Sequence, residues 1–339
     1  MVGINIIFSQ KKNKSLLDSQ KLEDIQKKML HYPSYKSRVL FQNSNVIIGS
    51  TAYKEYPIEI VDDESFIILI EGMIYNMDDE EIKELLYEIF DSASDKNNFE
   101  EKIRKFQFIA DGEFIIVIYN KIKNIFCLFN DSLGRLPLYW YEGDNFVIIS
   151  REIKFIYPYV NKIKFEKKSL VEYLLFGFVL GERTLIERIK RLMPSSFVFC
   201  NADTSINGRL NYPVFLAKHP ILNEEEDYVE NLKRYFLLGL ESRVTKLRSK
   251  KQIISLSGGL DSRATLAGLI KLGVSPNGIA NATSKSNERE STYSKKIANV
   301  FGIPLIHFKS KFNEVNFEKY LKLVKMKDCF QPIELVNQV

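Results

Sequence analysis

Leu256-Ser257-Gly258-Gly259-Leu260-Asp261-Ser262 stands between a short β-branched run that ends at Leu256 and a helical stretch that begins near Asp261. Two adjacent glycines let a backbone approach a ligand closely. The helix start that follows offers unpaired N–H groups and the positive end of the helix dipole, so the segment makes a cradle for an anion. Ser257 and Ser262 add hydroxyl donors. Asp261 repels a phosphate unless a cation such as Mg2+ stands between them, which makes a nucleotide with magnesium the economical ligand. The competing reading is a plain strand-to-helix turn, with glycine supplying a positive φ and Asp261 and Ser262 capping the helix. Ser, Asp and Ser at these spacings favour the ligand. Gly273 and Gly278 have the glycine spacing of a Walker A loop, but Ile279 and Ala280 stand where its Lys and Ser/Thr belong, so an ordinary P-loop is excluded.

Outward from this segment, strand and helix patterns alternate: strands over 253–256, 278–283 and 304–308, helices over 261–272, 288–301 and 313–324. Such alternation predicts βαβ units and a parallel sheet. A helix is expected to precede them, N-capped by Asn223 with Glu226 three positions on, and carrying Val229, Leu232, Phe236 and Leu240 as one apolar stripe. Between 153 and 222 the pattern loosens and four prolines punctuate it, as expected where two domains join. Before residue 150, β-rich runs over 3–8, 46–48, 66–70, 114–119, 125–129 and 146–149 are interrupted by helical stretches over 22–30 and 80–90. That half reads as sheets covered by helices.

At 339 residues, 45% hydrophobic and 27% charged, the chain has the composition of a globular protein of roughly two domains. A formal charge of +5 is too small to establish nucleic-acid binding, so no nucleic-acid partner is expected. Three cysteines without a C-x-x-C pair give neither a disulfide framework nor a metal motif. The apolar start precedes its lysines, the reverse of a signal peptide, and no apolar run reaches membrane-spanning length. The expected location is the cytoplasm, without a membrane partner. His31, His219 and His307 share no metal-ligand spacing.

The segment Leu256–Ser262 resembles the pyrophosphate-binding loop of ATP pyrophosphatases, and within that group the whole chain is similar to the asparagine synthetase family. Asn130-Asp131-Ser132-Leu133-Gly134-Arg135-Leu136-Pro137-Leu138-Tyr139 is similar to that family's R-D-x-x-G-x-x-P-L-Y segment, Glu71-Gly72-Met73-Ile74-Tyr75-Asn76 to its N-G-E-I-Y-N, Asp111-Gly112-Glu113-Phe114 to the strand between them, and 183–194 to its linker. The resemblance implies an Ntn-hydrolase-like αββα glutaminase-type domain over 1–203, linker included. A parallel-sheet, ATP-binding synthetase domain over 222–339, partial, would follow it. It also implies that Leu256, Ser257, Gly258, Gly259, Leu260, Asp261, Ser262, Ala282 and Thr283 hold ATP, with Asp261 on Mg2+.

The chain also departs from the family. Glutamine-using members expose a Cys at position 2, where this chain has Val2, which carries no nucleophilic atom. Glu71 stands where the family's Asn stabilises an oxyanion, and Met73 where a Glu holds the substrate; a carboxylate there opposes a developing oxyanion. Glutaminase activity is therefore not expected. The family's second glycine-rich S-G-x-G-x-D-E segment is not found before Val339, which leaves open a fragment, a chain completed by a second polypeptide, or an inactive remnant. The resemblance implies a ligase that activates a small-molecule or peptide carboxylate as an acyl-adenylate for attack by ammonia or an amine; a homodimer is a further possibility. The alternatives are a non-catalytic nucleotide-binding remnant or half-subunit, and a tRNA-modifying adenylating enzyme.

Overall fold

The computed structural model describes residues 2–11, 17–92, 96–201, 205–209, 225–247, 250–282, 288–309 and 317–326. The chain divides into two compact units, one over Met1–Phe215 with Lys325–Phe330, the other over Leu216–Val324 with Gln331–Val339. Among the described residues no helix is long and apolar enough to cross a membrane.

In chain order the first unit contains β1 (Gly3–Ser9), α1 (Ser19–Lys27), β2 (Lys36–Gln42), β3 (Val46–Ala52), β4 (Ile58–Asp62), β5 (Phe66–Ile74), α2 (Asp79–Ser92) and α3 (Lys96–Ile109). There follow β6 (Gly112–Asn120), β7 (Ile125–Asn130), β8 (Tyr139–Glu142), β9 (Phe146–Ser150), α4 (Ile153–Ile156), α5 (Lys167–Phe176), β10 (Ile189–Arg191), β11 (Ser196–Cys200) and β12 (Ser205–Arg209). One six-stranded sheet runs β10-β8-β9-β1-β3-β2 and the other β12-β11-β7-β6-β5-β4. Every pairing in both is antiparallel.

The two-residue period of β1 explains the layering. Ile4, Ile6 and Phe8 enter a core shared with Ile67, Leu69, Ile115 and Val117 of the second sheet. Ile7 points the other way, into a core with Leu22 and Ile25 of α1 and Phe155 of α4. Beyond the second sheet, Ile68 and Ile116 meet Ile82, Leu86 and Ile89 of α2 and Phe99, Ile103 and Phe106 of α3. The order is therefore helix, sheet, sheet, helix. With both faces covered, all seven residues of β1 are buried, and each fully buried Ile or Phe contributes about 1.5–3 kcal/mol.

The segment 153–209 corrects the reading of a loose joining region: β10 extends the first sheet beside β8, and β11 extends the second beside β7. Ile189 and Val198 are buried, but strands of three and five residues, with Pro194 between them, are too short to display a period. Asn130 and Asp131 tie this region down. The Asn130 amide donates to Met193 O at 2.9 Å and accepts from Ser196 N–H at 2.9 Å. Asp131 accepts from the N–H groups of Leu133 and Arg135, which builds the turn around Gly134, at φ +60°.

The second unit contains α6 (Glu225–Lys246), β13 (Ile253–Ser255), α7 (Leu260–Lys271), β14 (Asn277–Ala282), α8 (Glu288–Phe301), β15 (Leu305–Lys309) and α9 (Phe317–Met326). Its three strands form a parallel sheet in the order β13-β14-β15, cored by Ile254, Leu256, Leu266, Ala298 and Ile303. The Asn223 cap lies outside the described residues. The stripe expected on α6 is only partly used. A Cβ added at Gly268 of α7 would stand 2.4 Å from Leu240 and 3.3 Å from Phe236, so α6 packs there, whereas Leu232 is 73% exposed.

Candidate functional site

Each unit presents one site. In the second, Leu256 is buried and its N–H donates to Ile279 O at 2.8 Å, which carries the parallel ladder one residue past β13. The chain then turns into α7. Gly259 is the helix N-cap, at φ −74° and ψ 163°, and no side chain caps the helix. Neither Gly258 nor Gly259 is among the described glycines with positive φ. The glycines therefore do not serve a left-handed conformation, and Asp261 and Ser262 are not caps.

Ser262 instead reaches backwards. Its hydroxyl accepts the Ser257 N–H at 3.2 Å and lies 3.0 Å from the Ser257 hydroxyl, which itself accepts the Gly259 N–H at 3.1 Å. Asp261 is exposed in the first turn, and its backbone carbonyl accepts from Thr265 Oγ1 at 2.9 Å. Ser255 registers with Ile279, so β14 runs three residues farther, about 10 Å, and ends at Ala282. The loop 256–262 and Ala282 thus share the carboxyl edge of one parallel sheet, where α/β folds place ligands. Thr283 lies outside the described residues, as do the side chains of Ala282, Glu288, Arg289 and Glu290. Among the described residues no group of three or more His, Cys, Asp or Glu is placed to hold a metal.

In the first unit the site lies at the start of β1. Val2 is half-buried just before the strand. Gly3 has φ +135°, and a Cβ there would stand 2.3 Å from Glu71 Oε1. Glu71, on β5, is fully buried. Its Oε2 accepts the Ile4 N–H at 3.0 Å, and its Oε1 accepts the Tyr56 hydroxyl at 2.6 Å and pairs with the Arg151 guanidinium. Arg151, also buried, donates from Nε to Pro137 O at 2.7 Å and from Nη1 to Tyr56 Oη at 3.2 Å. Burial pushes the Tyr56 phenol well up, and the Glu71 charge adds to that, so Tyr56 remains a donor. Burial, the largest single influence, would lower the Arg151 guanidinium, but Glu71 and Tyr56 together outweigh it and raise it.

Beside this network the buried Glu152 lies 2.8 Å from His31 Nε2 and 3.0 Å from Lys154 Nζ. Met73, on the same strand, is half-buried. Cys127 and Cys200 are free and buried, and burial pushes both thiols well up; neither is a poised nucleophile. Sequence reasoning missed Arg151 and Tyr56. The available signal was Glu71 itself, a charge closing the apolar run 66–70 and therefore in need of a buried cation.

Residues 1–210 match the family model described as a glutamine amidotransferase domain. The chain is 27% identical over 208 residues to "Asparagine synthetase (glutamine-hydrolyzing) 1" of Bacillus subtilis (strain 168), covering 59% of this chain and 32% of that protein. It is 26% identical over 313 residues to "Putative asparagine synthetase (glutamine-hydrolyzing) 1" of Methanocaldococcus jannaschii, covering 90% of this chain and 52% of that one. It thus spans about half or less of these relatives' length. A solved glutamine phosphoribosylpyrophosphate amidotransferase from B. subtilis aligns over 91% of this chain and 81% of its own at a TM-score of 0.36 and 8% identity, too slight a likeness to build on. The chain belongs to the glutamine amidotransferase domain family and is an asparagine synthetase-family protein with a glutaminase-like N-terminal domain.

Proposed function

We propose that this protein works as an ATP-dependent amide-forming ligase of the asparagine synthetase type, and that its N-terminal domain does not hydrolyse glutamine. In this reading a carboxylate is activated as an acyl-adenylate and attacked by ammonia or by an amine. The observation that carries it is the uncapped start of α7 at the carboxyl edge of a parallel sheet, entered through Gly258 and Gly259. The N–H groups of the first helical turn face outward without a side-chain acceptor, and the helix dipole adds to them. The Ser257 and Ser262 hydroxyls brace the turn through the N–H groups of Gly259 and Ser257, which pre-sets the loop. Asp261 fits Mg2+, which is commonly held by one or two carboxylates with substrate phosphates. Bound magnesium would neutralise phosphate charge; Asp261 would orient it, and the loop amides would position the nucleotide.

Two features support the loss of glutaminase chemistry. Val2 has no nucleophilic atom, and Glu71 places a carboxylate, already paired with Arg151, where the resemblance puts an oxyanion-stabilising amide. The cytoplasm, where magnesium and ATP are plentiful, is the setting this reading proposes. Calorimetry with ATP and Mg2+, followed by ATP–pyrophosphate exchange with candidate carboxylates, tests it. Binding with carboxylate-dependent exchange is expected. Absence of binding rejects the reading, and binding without exchange assigns a nucleotide-holding role instead.

A further inference from the structure

The buried carboxylate of Glu71 takes its donors from three separate segments. The Ile4 N–H belongs to β1, Tyr56 to the turn between β3 and β4, and Arg151 to the residue after β9. Each is also fixed by contacts that do not involve Glu71. Ile4 is fixed by the pairing of β1 with β3, and Arg151 by Pro137 O at 2.7 Å and Tyr56 Oη at 3.2 Å. One guanidinium, one hydroxyl and one backbone N–H, together engaging both oxygens, form the donor set that recognises a carboxylate. The carboxylate arrives from a fourth segment, β5, whose neighbouring residues 66–69 are buried hydrophobics. Apolar packing of β5 needs no charge at position 71, and a buried ion pair is weak evidence of net stabilisation.

We propose that Arg151, Tyr56 and the Ile4 N–H constitute a carboxylate-binding site, and that the side chain of Glu71 is its resident, intramolecular ligand. The pocket is thereby closed to free carboxylates in the native chain. Shortening Glu71 empties it beside Gly3, where the head group now lies 2.3 Å from the place a Cβ would take, and leaves room for an ion as small as formate or acetate. This inference is independent of nucleotide binding.

The test uses the full chain with Glu71→Ala, melted in sodium formate, acetate or chloride of equal ionic strength, and titrated with 13C-formate by NMR. The variant is expected to melt below the native protein and to regain several degrees saturably in formate or acetate but not in chloride. The native protein is expected to respond alike to all three salts and to show no saturable binding of L-glutamate or L-glutamine. Equal rescue by chloride, no rescue by any salt, or saturable glutamate binding by the native protein overturns the proposal. If Glu71→Ala does not fold, Glu71→Gln keeps the shape without the charge. Arg151→Met should then be more damaging in the native background than in Glu71→Gln by about tenfold or more in the unfolding constant; a difference under about twofold overturns it.

Discussion

The hydroxyls of Ser257 and Ser262 meet at 3.0 Å across the turn that joins β13 to α7, and the Ser262 oxygen also receives the Ser257 N–H. One side chain of the first helical turn thus fastens the end of the strand. Ser262→Ala removes both contacts at a half-buried position beside the exposed Ser257, so it should cost about 1 kcal/mol or less of stability. ATP affinity should fall by more than that, because the loop is no longer pre-set. Parallel denaturant melts and calorimetry check this; an unchanged affinity contradicts it.

Asp261→Ala should leave the fold intact, because the Asp261 carbonyl, and not its carboxylate, is what Thr265 Oγ1 contacts. The magnesium-dependent part of ATP binding should disappear. Titration with and without Mg2+ reads this directly, and a retained magnesium effect would remove Asp261 from its assigned role.

Val2→Cys should not create a glutaminase. Glu71, held by Arg151, Tyr56 and the Ile4 N–H, still stands where the resemblance puts the oxyanion-stabilising amide. Glutamate release above the native background, followed with a coupled dehydrogenase, would refute this.

Gly3→Ala should destabilise the first unit by about 2 kcal/mol or more. At φ +135° an L side chain is strained, and its Cβ would lie 2.3 Å from Glu71 Oε1 and 2.5 Å from Arg151 Cγ. Chemical denaturation followed by tryptophan fluorescence is suited to this, because Trp140 lies in the core that β1 completes. An unchanged midpoint would show that this backbone relaxes freely.

The α5 N-terminus should loosen in acid. Glu166 caps it, accepting from the Ser169 hydroxyl at 2.5 Å and the Ser169 N–H at 2.6 Å, and these bonds lower its carboxyl below the ordinary value. A lowered folded-state pKa means that the contribution is present above the unfolded value, near 4.5, and lost as pH falls through the lower folded one. Protection of the Lys168 and Ser169 amides against hydrogen exchange, relative to their intrinsic rates, should therefore fall below that range, and Glu166→Gln should reduce the dependence on pH.

The parallel sheet of the second unit was legible because each strand is followed by a helix with its own period, as in 253–256 and 261–272. Much of the first unit was legible for the opposite reason, since runs such as 66–70 and 114–119 are β-branched or aromatic at every position but Leu69. What escaped were two edge strands in the first 150 residues and the short strands Tyr139–Glu142, Ile189–Arg191, Ser196–Cys200 and Ser205–Arg209. Lys36–Gln42 and Ile58–Asp62 are only half covered, so they mix polar and apolar residues without a long run. The helix Lys96–Ile109 was missed although Phe99, Ile103 and Phe106 keep helical spacing. In the sites, the glycine-rich turn announces itself by local spacing, whereas Arg151 lies 80 positions from Glu71 and no local pattern joins them.

The pairing of β1 with β9 sets a schedule for the growing chain. At roughly 5–20 residues per second of translation, Gly3–Ser9 leaves the ribosome about 7–30 s before Phe146–Ser150 exists to border it. For that interval a hairpin-like partnership with β3 is the shelter available to one edge of a largely apolar strand, and the other edge waits. A nascent polypeptide arrested near residue 130 should therefore engage holdase chaperones, and one arrested well past residue 200 should release them.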